Sequence, residues 1–507
     1  MKADNNNFMK IFIKLLTIIA YKTDDQLYPH VPRVALLIIS LLEDLNAPNS
    51  EEGEEFLVDS ILCLNALFRK CPNQMSPFVK EVIRIGVQYI SYDPTFGESE
   101  VELSSTDSEH EDDEETFSEN DDQSYKVRLA CSQLLSCIFS YAEHVKKASL
   151  PTLEKEAFRQ KRTRLSDEDN FSFVAGLDSV VLCCANRIQY EYEQLVFTAV
   201  CELAVAVVSF IRTCRGSVDI FSPLIGPLIK KLRRSKEAVL SACLKVLTEL
   251  SKSQFSCLAG ERVLLAEALS CILLAPKSTP VLKRSVVSMV NNFIVHQGLE
   301  NSNYMCFRVY QPICEASLEV HSNILSDSLE LFITLVPLVA SSVAIGSNAE
   351  DVGALANYLH DWAVSIFSSE NSELSVKGKS LCLLSLIQTY LGAFLDALKN
   401  EFVVETLMAS LRSESFRFVA LEGFERIAVS PNSSCFTRTV SPLLLAIAEL
   451  FKEAGTPRAS ALKTVRTFLS NSLLLVDEET ILKLIEHVTP TLDVSDAQEF
   501  YNILFIS

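Results

Sequence analysis

Along nearly the whole chain, large apolar residues recur at spacings of three and four, and sustained alternation of apolar and polar positions is almost absent. That pattern predicts an all-helical protein. The first expected helices are Phe8 to Tyr21, Pro29 to Leu45, Leu57 to Lys70 and Pro77 to Ile90, with Cys71-Pro72-Asn73 as a turn. Further on, the same periodicity predicts helices over Tyr125 to His144, Leu150 to Arg162, Phe171 to Ala185 and Glu191 to Arg212. Pro223 to Leu232, Lys236 to Ser251, Val263 to Leu274 and Pro280 to His296 follow, and the pattern then runs to the end. Glycine is scarce, at 14 of 507 residues.

Helices of this length with short connections pack as antiparallel hairpins, and the hairpins repeat loosely. Ser380-Leu381, Ala420-Leu421 and Ala461-Leu462 occupy matching points of three helices, at separations of 40 and 41 residues. Ala130-Cys131 and Ala242-Cys243 match each other 112 residues apart, which reads as about three periods. Pro29, Pro77, Pro223, Pro442 and Pro490 are placed as first-turn prolines, where the missing N–H costs nothing. A period near 40 with two helices per unit is the signature of HEAT or armadillo stacking. One such unit cannot bury its apolar face alone, so the expected fold is an α-solenoid, a superhelix of roughly ten to twelve units.

The periodicity stops altogether between Glu98 and Asp122. Thirteen of those 25 residues are Asp or Glu, none is Lys or Arg, and only Val101, Leu103 and Phe117 are large and apolar. So little apolar surface cannot offset the roughly 1 to 2 kcal/mol of entropy that ordering each residue costs. The expected organisation is therefore HEAT repeats over residues 1–97, a disordered acidic loop over 98–123, and repeats continuing the same solenoid over 124–507. Ser104, Ser105, Thr106, Ser108 and Ser118 lie among the acids and suit an acid-directed kinase. Both chain ends are apolar, PheMetLysIlePheIleLys at one and IleLeuPheIleSer at the other, as in a piece of something longer.

Composition changes the picture in two places. Removing the thirteen carboxylates of the acidic stretch from the formal net charge of −20 leaves −7, so most of the acidity is local and nucleic-acid binding is disfavoured. The fifteen cysteines are scattered through apolar runs, among them Cys63, Cys71, Cys131, Cys137, Cys201, Cys243, Cys271 and Cys382. They read as buried reduced thiols of a cytoplasmic or nuclear protein. No membrane segment is expected, because Lys10 and Lys14 interrupt Phe8 to Tyr21, and Leu331 to Ala349 reads as a buried helix followed by a loop.

Candidate chemistry is sparse. Seven histidines lie far apart with no carboxylate or cysteine at metal-ligand spacing, and HExxH, GxSxG and phosphate-binding glycine motifs are absent. The expectation is a non-enzyme without cofactor, metal or small-molecule substrate. Two basic clusters stand against the acidic background: Arg159, Lys161, Arg162 and Arg164, and then Lys230, Lys231, Arg233 and Arg234 with Lys236. Helix-end charge that merely stays wet is the ordinary explanation of such clusters. The functional one is contact with an acidic partner surface, and these residues are the candidate partner-binding set.

The residues around the acidic stretch carry a family likeness. Cys71-Pro72, Pro77-Phe78-Val79, Tyr89-Ile90-Ser91-Tyr92-Asp93-Pro94, the acidic insertion and Asp122-Gln123-Ser124-Tyr125-Lys126-Val127-Arg128 resemble, in that order, the middle of the cullin-associated neddylation-dissociated proteins. These are also known as TATA-binding-protein-interacting HEAT-repeat proteins. The resemblance is strongest from about Tyr28 to Arg187. It implies a HEAT superhelix that wraps an unneddylated cullin and its RING subunit and regulates assembly and exchange of SCF-type ubiquitin ligase complexes. Family members are more than twice this long, so the ends that grip the RING side and compete with the adaptor fall outside this chain. An importin-like transport solenoid or another protein-binding HEAT adaptor is the alternative, although Trp362 is the sole tryptophan and provides no cargo ladder.

Overall fold

The computed structural model describes residues 2–501 apart from 23–24, 45–50, 93–123, 150–175, 215–218, 234, 253–257, 259, 298, 319–321, 344–347, 431–439, 452–457, 473–475 and 493–499. The acidic stretch and the helix expected over Leu150 to Arg162 lie outside the described residues. Among those described, all regular structure is helical. The coordinates divide into two compact units, Met1–Leu265 and Ala266–Ser507.

Unit 1 holds α1 (Lys2–Lys22), α2 (Val31–Asp44), α3 (Glu51–Lys70), the short α4 (Pro72–Met75) and α5 (Val79–Ile90). It continues with α6 (Ser124–Ser149), α7 (Leu177–Tyr190), α8 (Gln194–Cys214), α9 (Ser222–Leu232) and α10 (Glu237–Ser251), and ends within α11 (Arg262–Leu274). Two parallel rows emerge from the packing. One runs α1, α3, α6, α8, α10, and the other α2, α5, α7, α9; hairpin pairs α2/α3, α5/α6, α7/α8 and α9/α10 join the rows. Stacking of this kind, each pair on its neighbours only, is a helical-repeat solenoid. Ala130, Cys131, Ala242 and Cys243 are all buried on the first row, but α6 and α10 are two steps apart rather than three. Residues 150–175 lengthen the first of those steps, so a fixed period of 40 overcounts the repeats. Gly86 allows a close approach of α5 to α6, since a Cβ there would stand 2.7 Å from the Leu135 side chain.

Unit 2 contains α12 (Pro280–His296), α13 (Leu299–Leu318), α14 (Ser322–Val343), α15 (Ala349–Ser368) and α16 (Leu374–Leu391). After these come α17 (Ala397–Leu411), α18 (Arg417–Ala428), α19 (Val440–Leu450), α20 (Arg458–Ser472) and α21 (Glu478–Val488). One row is α12, α14, α16, α18, α20; the other is α13, α15, α17, α19, α21, with pairs α13/α14, α15/α16, α17/α18 and α19/α20. Together with the four pairs of unit 1 this makes eight paired repeats among the described residues, against the ten to twelve expected from a uniform period. The matched positions Ser380-Leu381, Ala420-Leu421 and Ala461-Leu462 all lie buried on one row, at equivalent depth.

Local chemistry sets the helix starts. Thr279, Asn348, Asp396 and Asp477 each accept a hydrogen bond from a backbone N–H of the first turn of α12, α15, α17 and α21. Pro223 and Pro442 stand in first turns as expected, whereas Pro29 precedes α2, whose first turn holds Pro32. Pro77 lies in the 3₁₀ turn that precedes α5, and Pro490 in the 3₁₀ turn that follows α21, so neither opens an α-helix. Among the described residues two helices, α8 and the Asn323–Ser342 part of α14, are long and apolar enough to cross a membrane. Both carry core residues, including Val200, Leu203 and Val207 of α8 and Phe332, Leu335 and Val336 of α14. Trp362 is core as well, its ring edge-on to Phe332 at 5.4 Å.

Candidate protein-binding surface

The chain segments that flank residues 93–123 converge on one buried ion pair. At the end of α5, the Tyr89 hydroxyl donates to the Leu42 carbonyl at 3.0 Å, and burial raises its pKa above the usual phenol value. The Tyr92 hydroxyl donates to Glu54 of α3 at 3.0 Å. On the far side of the insertion, Arg128 stands one turn into α6. Its Nη1 donates to the Tyr92 carbonyl at 3.2 Å and to Ser124 Oγ at 2.7 Å, while Nε and Nη2 reach the Glu191 carboxylate at 3.1 and 3.4 Å. Arg187 approaches the same carboxylate at 3.6 Å, and the Glu193 N–H donates to it at 3.2 Å. The side chains of Arg128 and Glu191 are only 7% and 4% exposed. Charges so desolvated are tolerated because nearly every donor of the guanidinium is used.

This network holds Tyr92 and Ser124 beside one another, so the roots of the acidic stretch are fixed by the fold. Residues quoted above for the family likeness, Tyr89, Tyr92, Ser124 and Arg128, are its members. Their partner Glu191 lies 63 residues from Arg128, and no local pattern announces it. The legible trace is an arginine on an otherwise apolar helical face, one turn after a serine.

Of the basic residues singled out from sequence, Arg159, Lys161, Arg162, Arg164 and Arg234 lie outside the described residues. Lys230, Lys231 and Arg233 end α9, where positive charge complements the helix dipole. Lys230 and Arg233 are exposed, and Lys231 is half-buried. The Lys231 ammonium donates to the Glu191 carbonyl at 3.3 Å and stands 5.9 Å from the Tyr192 ring centroid and 5.6 Å from that of Phe197. Sequence reasoning missed Tyr192, which is 87% exposed in the turn between α7 and α8. Tyr190 and Leu195 flank it and are also exposed.

A groove of about 500 Å³ opens between α3, α6 and α8, lined among others by Arg69, Gln133, Ser136, Cys137, His144 and Glu202. Burial pushes the Cys137 thiol up, with Arg69 partly opposing it, so the groove offers no ready thiolate at neutral pH. Elsewhere burial holds Cys63 up at about 11 and raises Cys131, Cys184 and Cys306 further. Three of the cysteines expected to be buried depart from that reading: Cys271 is exposed on α11, and Cys137 and Cys382 are half-buried. Among the described residues no group of three His, Cys, Asp or Glu is placed to hold a metal ion.

The fold defines a class, a helical-repeat solenoid, here with polar and aromatic side chains exposed on its surface. No family model matches the sequence. A stretch of 183 residues is 24% identical to the Cullin-associated NEDD8-dissociated protein 1 of Drosophila melanogaster, covering 34% of this chain and 14% of that protein. The Arabidopsis thaliana protein of the same name is 22% identical over 407 residues, 76% of this chain and 31% of its own length. The similarity is weak and partial, and the chain spans less than a third of either relative. A crystal structure of an engineered protein shares the fold, with a TM-score of 0.52, 12% identity and coverage of 92% of this chain and 98% of that one. The karyopherin Kap121p, crystallised with the SUMO protease Ulp1p, aligns at a TM-score of 0.40 and 12% identity over 99% of this chain and 54% of its own, too distant to argue from.

Proposed function

We propose that this chain is a non-catalytic scaffold that binds a cullin with its RING subunit and regulates assembly and exchange of SCF-type ubiquitin ligase complexes in cytoplasm or nucleus. The observation that carries the reading is the 407-residue similarity to a cullin-associated relative. The Tyr92-Asp93-Pro94 sequence before the acidic insertion and the Tyr125-Lys126-Val127-Arg128 sequence after it agree with that relationship. A solenoid binds through extended surface contact, which needs no cofactor, metal, nucleic acid, membrane or small-molecule substrate.

Affinity purification of the chain from its own cell extract, with mass spectrometry of the bound proteins, tests the proposal. Recovery of an unmodified cullin together with its RING subunit is the expected result. Recovery of a small transport GTPase with cargo would overturn it in favour of an importin-like adaptor.

A further inference from the structure

The turn between α7 and α8 and the end of α9 form a patch whose charge runs against that of the chain. From Lys230 to Lys236 the sequence places five cations and no carboxylate, in a protein of net charge −20. Glu191 is buried and shared by Arg128 and Arg187, and the one further carboxylate of the turn, Glu193, is half-buried between Tyr192 and Leu195. Lys231 adds a third cation over the Glu191 carbonyl. A helix end explains Lys230 and Lys231 but not the ring beside them, for Tyr192 stands 87% exposed with one face against the Lys231 ammonium. Leu195, 58% exposed, extends the apolar part of the patch. Tyrosine and arginine are the residue types enriched in protein-binding hot spots, and the patch holds one of each in Tyr192 and Arg233.

We infer that the patch formed by Tyr192, Leu195, Lys230, Lys231 and Arg233 is a docking site for an acidic segment of a partner protein. Carboxylates of that segment meet Lys230 and Arg233, and an apolar side chain lies on Tyr192 and Leu195. The inference is independent of the cullin reading, because it rests on the charge and exposure of the patch alone.

Fluorescence anisotropy of a labelled peptide of Leu, Glu and Asp residues with the full chain tests it. Binding should weaken steadily as salt rises, as exposed ion pairs require. The double variant Lys230→Glu/Arg233→Glu should weaken it by at least about tenfold, and Tyr192→Ala by about fivefold. Lys245→Glu, on an exposed position of α10, should stay within about twofold. Unchanged circular dichroism of the variants separates loss of binding from loss of fold. The inference fails if the wild-type chain does not bind, if Lys245→Glu is as damaging as the double variant, or if a single-stranded oligonucleotide binds more tightly than the peptide. It also fails if the peptide binds only after residues 99–121 are deleted, since the occupant would then be the chain's own acidic stretch.

Discussion

The two units hold their repeats together by different electrostatic means. In unit 2, cross-links between successive helices of one row are mostly partly exposed and pairwise: Arg284 with Asp327, Lys379 with Glu330, and Lys463 with Glu425. Each joins residues roughly one repeat apart. Unit 1 has similar links, such as Lys14 with Asp59 and Arg212 with Glu249. It adds the buried Arg128–Glu191–Arg187 cluster where the chain is interrupted by the acidic stretch. A regular repeat needs little beyond apolar stacking to fix its register, and exposed pairs contribute modestly. Where a long insertion breaks the register, directional contacts to the Tyr92 carbonyl and Ser124 hydroxyl bring the two ends back together.

The sharpest way to break this contrast is Glu191→Ala, which leaves Arg128 and Arg187 in low-dielectric surroundings without their shared carboxylate. Removing one member of a buried pair costs on the order of 3–5 kcal/mol. Amide exchange by mass spectrometry should show α6 and α7 losing protection to that extent, and unchanged exchange would refute the clamp. Gly86→Ala is the next largest, since its Cβ would press on Leu135 from 2.7 Å. Overpacking of this kind costs about 1–3 kcal/mol, read as a lower urea midpoint with local loss of protection in α5. A gain in stability would show that α6 can move away freely.

Lys379→Ala in unit 2 should cost less than about 1 kcal/mol, as expected for a pair with one partner 61% exposed. A loss matching that of Glu191→Ala would erase the distinction between the units. The smallest effect concerns Asp477, the cap of α21, whose pKa is lowered to about 2 by hydrogen bonds from Ser441 and Thr480. A depressed carboxylate contributes stability above its unfolded value near 3.9 and loses that contribution as pH falls towards 2. Protection of α21, taken relative to the intrinsic exchange rate at each pH, should therefore fall between about pH 4 and 2, and Asp477→Asn should flatten the dependence.

Much of the architecture was legible because helical periodicity is a local property. Expected Pro280 to His296 coincides with α12, and most other predicted helices are met within a few residues. The matched Ser380, Ala420 and Ala461 positions lie on one row because small residues at those points let successive helices approach. The count of repeats was less accessible, since a period measured in residues does not separate three short steps from two with a long connection. Of the candidate surface, the sequence supplied Lys230, Lys231 and Arg233 as a charge cluster and could not supply Tyr192, whose exposure depends on how α7 turns into α8.

By itself, then, the sequence determined what depends on neighbours along the chain: helices, a two-helix repeat, and the acidic break. Tertiary structure decided what depends on neighbours in space. Arg128 and Glu191, 63 residues apart, meet only because α6 and α8 are consecutive in one row. Lys231 is drawn from solvent onto Tyr192 and Phe197 by the packing of α9 on α7. Burial of charge and exposure of an aromatic ring are properties of the folded surface, and no spacing rule along the chain encodes them.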